Sequence, residues 1–201
     1  MRELEIPYSV ERVTSQWLTN ALASTGVITS STVTSFDSER LGAGRGFVGQ
    51  LSRLRLTYDS REDNAPRSII AKFPATDPSV RAAVNENKLY EHEVRFYEEV
   101  APQIELSTPQ CFYGATDGEA GDHVLLLEDL APARVGDHVA GCSDDDAKLA
   151  IREIAGFHAA FWESPRFRTD LSWLPNAETR RRDLPWERFA TGSMIGIAER
   201  R

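Results

Sequence analysis

A chain of 201 residues has room for one substantial core, or for one small domain and part of a second. Apolar residues make up 41%, which argues against wholesale disorder, and 23 basic against 31 acidic residues leave a net charge of −8, the wrong sign for long-range attraction to nucleic acid or to an anionic membrane. Cys111 and Cys142 form no C-x-x-C pair, the start Met1-Arg2-Glu3-Leu4-Glu5 has no apolar signal core, and no stretch approaches the ~18 apolar residues of a membrane span. The expectation is a cytoplasmic protein with reduced thiols, no zinc or redox motif, and no nucleic-acid or membrane partner.

In chain order, the spacing of Val10, Val13, Trp17, Leu18 and Leu22 predicts a helix from Ser9 to about Ser24, with Ser9 as its cap. A strand follows over 32–41, then glycines at 42, 44, 46 and 49. Residues 51–58 alternate, with Leu54, Leu56 and Tyr58 facing one way and Arg53, Arg55 and Thr57 the other. A polar turn from Asp59 to Pro66 leads into the apolar strand 68–73. A long helix is predicted from about Arg81 to Val100, closed by Pro102. Strands 111–114 and 123–127 flank an Asp117-Gly118 turn. A helix then opens at Ser143 with three aspartates suited to its positive end and runs to about Trp162. The tail from Pro165 on carries three prolines, the run Arg180-Arg181-Arg182 and scattered aromatics, without clear periodicity. Five strands with one inserted helix predict an α+β fold, an antiparallel sheet with that helix packed on it.

Four features carry chemistry. Gly42, Gly44 and Gly46 in the hairpin 41–50 would let backbone N–H groups approach phosphate oxygens, although alone they read equally as a flexible turn. The hairpin lacks the Gly-Lys-Ser/Thr ending of a P-loop and opens no helix. Lys72 sits in an apolar strand on the face of Ile70, where an ammonium needs an anionic partner unless it reaches past an edge into water. Glu93 falls in the stripe of Leu89, Phe96 and Val100, and pairing with Lys72 satisfies both charges unless Glu93 lies at the stripe's edge in water. The run Leu125-Leu126-Leu127-Glu128-Asp129-Leu130 is a strand that ends abruptly in a linker, able to offer backbone groups to an adenine edge.

Glycine hairpin, strand lysine, helix glutamate and linker strand occur in the order of a protein-kinase-like N-terminal lobe. With Tyr90–Tyr97, Pro109–Tyr113 and Ile154–Trp162, they resemble the aminoglycoside phosphotransferase and choline kinase-like superfamily, in its ecdysteroid-kinase-like branch, over roughly residues 30–163. The resemblance implies an N-terminal helical extension (1–30), an ATP-binding lobe (31–130), a linker (131–142) and the start of a truncated helical C-lobe (143–201). It implies that Lys72 contacts the phosphates of ATP and Glu93 orients it, that the backbones of Glu128 and Leu130 hold adenine, and that Leu41, Val48 and Ile70 pack near the base. Phe47 stands where a protein kinase has its last loop glycine.

Kinases of this class also need an H-x-D catalytic loop and a metal-binding aspartate. None of His92, His123, His138 and His158 begins H-x-D, and Asp144–Asp146 read as a helix opening. His158, on the face of Ile151, Ile154 and Phe161, reads as a buried structural histidine. No catalytic or metal residue is therefore assigned. Magnesium and a small hydroxylated acceptor are expected of a complete enzyme, with the alternative of a non-catalytic nucleotide-binding or interaction module. Phe157, Phe161 and Trp162 are expected to be exposed, offering a dimer contact.

Overall fold

The computed structural model describes residues 4–42, 49–133, 136 and 140–175. The chain divides into two units, Met1–Trp162 and Glu163–Arg201. In the first, helix α1 (Ser15–Ser24) precedes strands β1 (Val33–Leu41), β2 (Gly49–Tyr58) and β3 (Ser68–Pro74). Helices α2 (Pro78–Glu86) and α3 (Leu89–Arg95) follow, then strands β4 (Cys111–Asp117) and β5 (Asp122–Glu128), and helix α4 (Asp144–Ala160). In the second unit, the described residues form a short 3-10 turn, Pro165–Arg168, capped by Ser164 and held by an Arg166–Asp170 ion pair of 2.6 Å.

The five strands form one antiparallel sheet in the order β1-β2-β3-β5-β4. The period-two pattern sorts its residues to two faces. Leu54, Leu56, Ile69, Ala71, Phe73, Phe112, Val124 and Leu126 turn to the first face and join Trp17, Leu18, Ala21 and Leu22 of α1 in the main core. The segment read as an extension thus supplies one wall of that core. The cap of α1 is Thr14, whose Oγ1 accepts the Trp17 N–H at 3.1 Å, and Ser9 instead precedes a separate 3-10 turn, Val10–Arg12. Thr25 at the end of α1 donates to the Phe112 carbonyl at 2.7 Å, tying helix to sheet. Glu62, in the predicted polar turn, accepts from the backbone N–H groups of Thr29, Ser30 and Ser31 at 3.0, 2.8 and 2.7 Å, which holds its carboxyl far below the usual range and staples that turn to the start of β1.

On the second face Val94 and Tyr97 pack on Ile70, Cys111, Leu125 and Leu127. The expected single helix over 81–100 is broken. Lys88 adopts a left-handed conformation (φ 55°), and Phe96–Val100 form a π-helical turn. Each break changes the phase of the helical face. The buried positions of α3 are accordingly Tyr90 and Val94, while Leu89 is 45% exposed, which corrects the stripe expected through Leu89 and Phe96. Helix α4 starts as expected, with Ser143 Oγ accepting the Asp146 N–H at 3.1 Å above three first-turn aspartates. It buries none of its residues. His158 is exposed rather than buried, because the rest of the first unit does not cover its face of α4. Among the described residues no helix is long and apolar enough to cross a membrane.

Helix α3 packs tightly over Gly114 of β4, where a Cβ would lie 3.1 Å from Leu125 Cδ2 and 3.2 Å from Val94 Cγ1. Gly114→Val is expected to lower stability by about 1–3 kcal/mol through overpacking and to push α3 outward, read as a lower urea midpoint with unchanged slope.

Candidate functional site

The second face carries the charged groups that the sequence singles out. Register places Leu41, Leu51, Lys72 and Leu125 in one row across β1, β2, β3 and β5, and Glu39, Arg53, Ile70 and Leu127 in the next. Directly opposed residues of antiparallel strands share a face. Lys72 and Ile70 therefore face α3, while their neighbours Ile69, Ala71 and Phe73 are fully buried on the α1 side. Leu51 remains 37% exposed, so the β1–β2 end of this face is partly open.

Lys72 Nζ donates to both carboxylate oxygens of Glu93, at 2.5 Å to Oε1 and 2.6 Å to Oε2. The two side chains retain 22% and 29% exposure, placing the pair at the edge of solvent. Each charge answers the other where desolvation would otherwise be costly. Glu93 is the carboxylate of α3 that meets the lysine. Glu91 turns to Lys88 and Arg95 at 3.7 and 3.8 Å, and Glu99 to Arg95 at 2.7 Å. Gly49, at the base of the hairpin, could not bear a Cβ without coming within 2.6 Å of the Phe73 carbonyl, so β2 lies close beside the Lys72 strand.

The remaining candidates fall at the two ends of this face. Leu41 closes β1, and Gly42 follows in a left-handed conformation (φ 63°) with open space where a Cβ would stand. Gly44, Gly46 and Val48 lie outside the described residues. At the other end, Glu128 is fixed on both its groups: its N–H donates to the Gln110 carbonyl at 2.8 Å, and its carboxylate accepts the Gln110 N–H at 3.1 Å. Leu130 is half exposed, and its carbonyl accepts the Ala133 N–H at 2.8 Å, turning the linker. Among the described residues no group of three His, Cys, Asp or Glu is placed to hold a metal ion.

Sequence reasoning passed over the residue between those two. Asp129 accepts from Arg53 Nε at 2.7 Å, from Arg53 Nη2 at 3.2 Å, from Ser68 Oγ at 2.6 Å and from the Ala131 N–H at 3.2 Å. Its side chain is only 8% exposed. This cluster ties the linker to β2 and β3, and a bidentate arginine fork fixes orientation as well as distance. The available signal was an arginine in the polar register of β2 together with an acid just past an apolar strand. The Arg53 and Ser68 hydrogen bonds outweigh burial and hold the Asp129 carboxyl down at about 2.

Because that value lies below the ordinary 3.8, the cluster stabilises the fold fully above about pH 4, and its contribution is lost as pH falls toward 2. Asp129→Asn is expected to cost on the order of 2 kcal/mol at neutral pH and to flatten the acid limb of stability, measured by urea unfolding across that window.

The model of the ecdysteroid kinase-like family matches residues 43–162. No curated protein matches the chain. Among solved structures, a mutant aminoglycoside 2′-phosphotransferase IIIa in its GDP complex aligns at 15% identity with a TM-score of 0.44, covering 84% of this chain and 48% of that one. The chain thus spans about half the length of that protein. The family match takes in the glycine hairpin, Lys72, Glu93, the linker and α4, and on that match the chain belongs to the ecdysteroid kinase-like family.

Proposed function

We propose that this chain is the nucleotide-binding lobe of an ATP-dependent small-molecule kinase that phosphorylates a hydroxyl group. The observation that carries the reading is the two-point Lys72–Glu93 ion pair on a partly open face of the sheet. Bound ATP supplies the phosphoryl group, and the residues of this chain position it. Lys72 presents an ammonium to the phosphates, and Glu93 holds its side chain in reach. Gly42, with Gly44 and Gly46, lets the hairpin backbone come close to phosphate oxygens. Leu41, Val48 and Ile70 give apolar contact to the base, and the backbones of Glu128 and Leu130, on the linker braced by Asp129, meet its edge. The magnesium ion of such reactions finds no set of three ligands among the described residues.

A second reading, a non-catalytic nucleotide-binding module, is favoured by one observation: no histidine of the sequence begins H-x-D, so the group that would take the acceptor's proton is not identified in these residues. Both readings require nucleotide binding, and turnover separates them. The exposed Ile151, Ile154 and Trp162 of the α4 region offer an apolar surface on which a second copy, or further helical structure, could pack.

ATP is expected to raise the melting temperature of the wild-type chain in proportion to the logarithm of its concentration. Removing a charge-assisted contact with Lys72→Ala is expected to weaken ATP binding about 10- to 100-fold, with a smaller loss in Glu93→Gln, measured by calorimetry. No shift with ATP in the wild type would overturn both readings.

A further inference from the structure

Behind the ion pair lies His123 of β5. It is fully buried, and neither ring nitrogen has a hydrogen-bond partner among the described residues. Buried polar atoms are nearly always satisfied, and two orphans in one ring beside a functional pair call for an explanation. The ring is held in plane by stacking on Tyr90, with centroids 4.7 Å apart and planes 14° apart. Tyr90 is itself anchored, its hydroxyl accepting the Ala75 N–H at 2.9 Å. Burial, and then the Lys72 ammonium, push the imidazole down to about 3, so it is neutral and carries one N–H and one lone pair. His123 Nε2 stands 3.8 Å from Glu93 Oε2, the oxygen that also accepts from Lys72 at 2.6 Å.

That oxygen has one close donor, and a phosphate would compete for it. When Lys72 turns toward a nucleoside triphosphate, Glu93 cannot keep both of its short contacts. Its Oε2 then loses its one short contact unless another donor arrives. A movement of about 0.9 Å brings Nε2 to ordinary hydrogen-bond distance. We propose that His123 is a positioning residue, a neutral reserve donor whose Nε2–H closes on Glu93 Oε2 as Lys72 engages phosphate. It thereby holds the carboxylate, and through it the lysine, in the nucleotide-bound arrangement. This rests on the reading of Lys72 as the phosphate ligand. A cationic partner would not serve as well, because a second positive charge beside Lys72 would repel it, whereas a neutral imidazole donates without that repulsion.

The experiment uses the chain as it exists, with ATP as the probe. Binding is measured by calorimetry for the wild type, Lys72→Ala, His123→Gln and His123→Phe, alongside thermal melts and the imidazole nitrogen resonances of the 15N-histidine-labelled wild type. Glutamine keeps a donor at similar reach and is expected to bind ATP within about threefold of wild type. Phenylalanine fills the space without a donor and is expected to bind about tenfold more weakly, at a melting temperature equal to or above that of the wild type, since it removes two buried orphans. That opposition of affinity and stability is not what a purely structural histidine would give. His123 is expected to be protonated at Nε2, with the resonance moving on ATP addition in the wild type and staying still in Lys72→Ala. Wild-type affinity in His123→Phe, or a proton found on Nδ1, overturns the inference while leaving nucleotide binding intact. If His123→Phe does not fold, the nitrogen resonances of the wild type decide the matter. Absence of ATP binding in the wild type removes this inference together with the reading beneath it.

Discussion

The structure depends on one electrostatic requirement: a lysine ammonium on the inner face of a central strand needs a carboxylate. Lys72 cannot turn away without reversing the alternation that buries Ile69, Ala71 and Phe73 on the other side. Its partner must therefore come from the element packed over it, which sets the height and rotation of α3. Gly114 allows the helix to sit low, and Val94 and Tyr97 seat it on Ile70, Leu125 and Leu127. Glu93 is then delivered to Nζ with both oxygens in contact. The breaks at Lys88 and over Phe96–Val100 belong to the same arrangement, since each resets which residues of the segment face the sheet.

At the other end of the face, the Asp129 cluster does for the linker what Glu93 does for the lysine. Arg53 and Ser68 come from neighbouring strands, so the linker is referenced directly to β2 and β3. One face of the sheet thus presents a lysine fixed from above by a helix and a linker fixed from the side by an arginine. Both are charge-assisted contacts shielded in part from water, where they hold geometry more firmly than exposed pairs do. The opposite face, closed by α1, contains the apolar residues that make this precision possible.

Much of this was legible in the sequence. Alternation in 51–58 and the apolar runs 68–73 and 123–127 identify strands because a half-buried sheet imposes period two. Lys72 stood out because a charge interrupts an apolar run. The α1 wall of the core was less visible. The helix was readable, but nothing local in it shows that Trp17 and Leu22 meet the sheet. The stripe through Leu89 and Phe96 failed because periodicity assumes an unbroken helix, and Lys88 and the π-helical turn break it. The apolar neighbours of His158 point to burial, yet a helix face is buried only when something covers it, and His158 is exposed.

The sequence by itself determined the order of the elements, the face on which each strand residue lies, and the need of Lys72 and Glu93 for opposite charges, because these follow from local periodicity and from the cost of desolvating a charge. Tertiary structure alone decided that both oxygens of Glu93 meet Lys72, that Arg53 and Ser68 grip Asp129 across 76 and 61 residues, and that His123 lies behind Glu93 without a hydrogen-bond partner among the described residues. Such contacts depend on the register of strands distant in sequence and on the rotation of a broken helix. Neither is encoded in the pattern of a single segment.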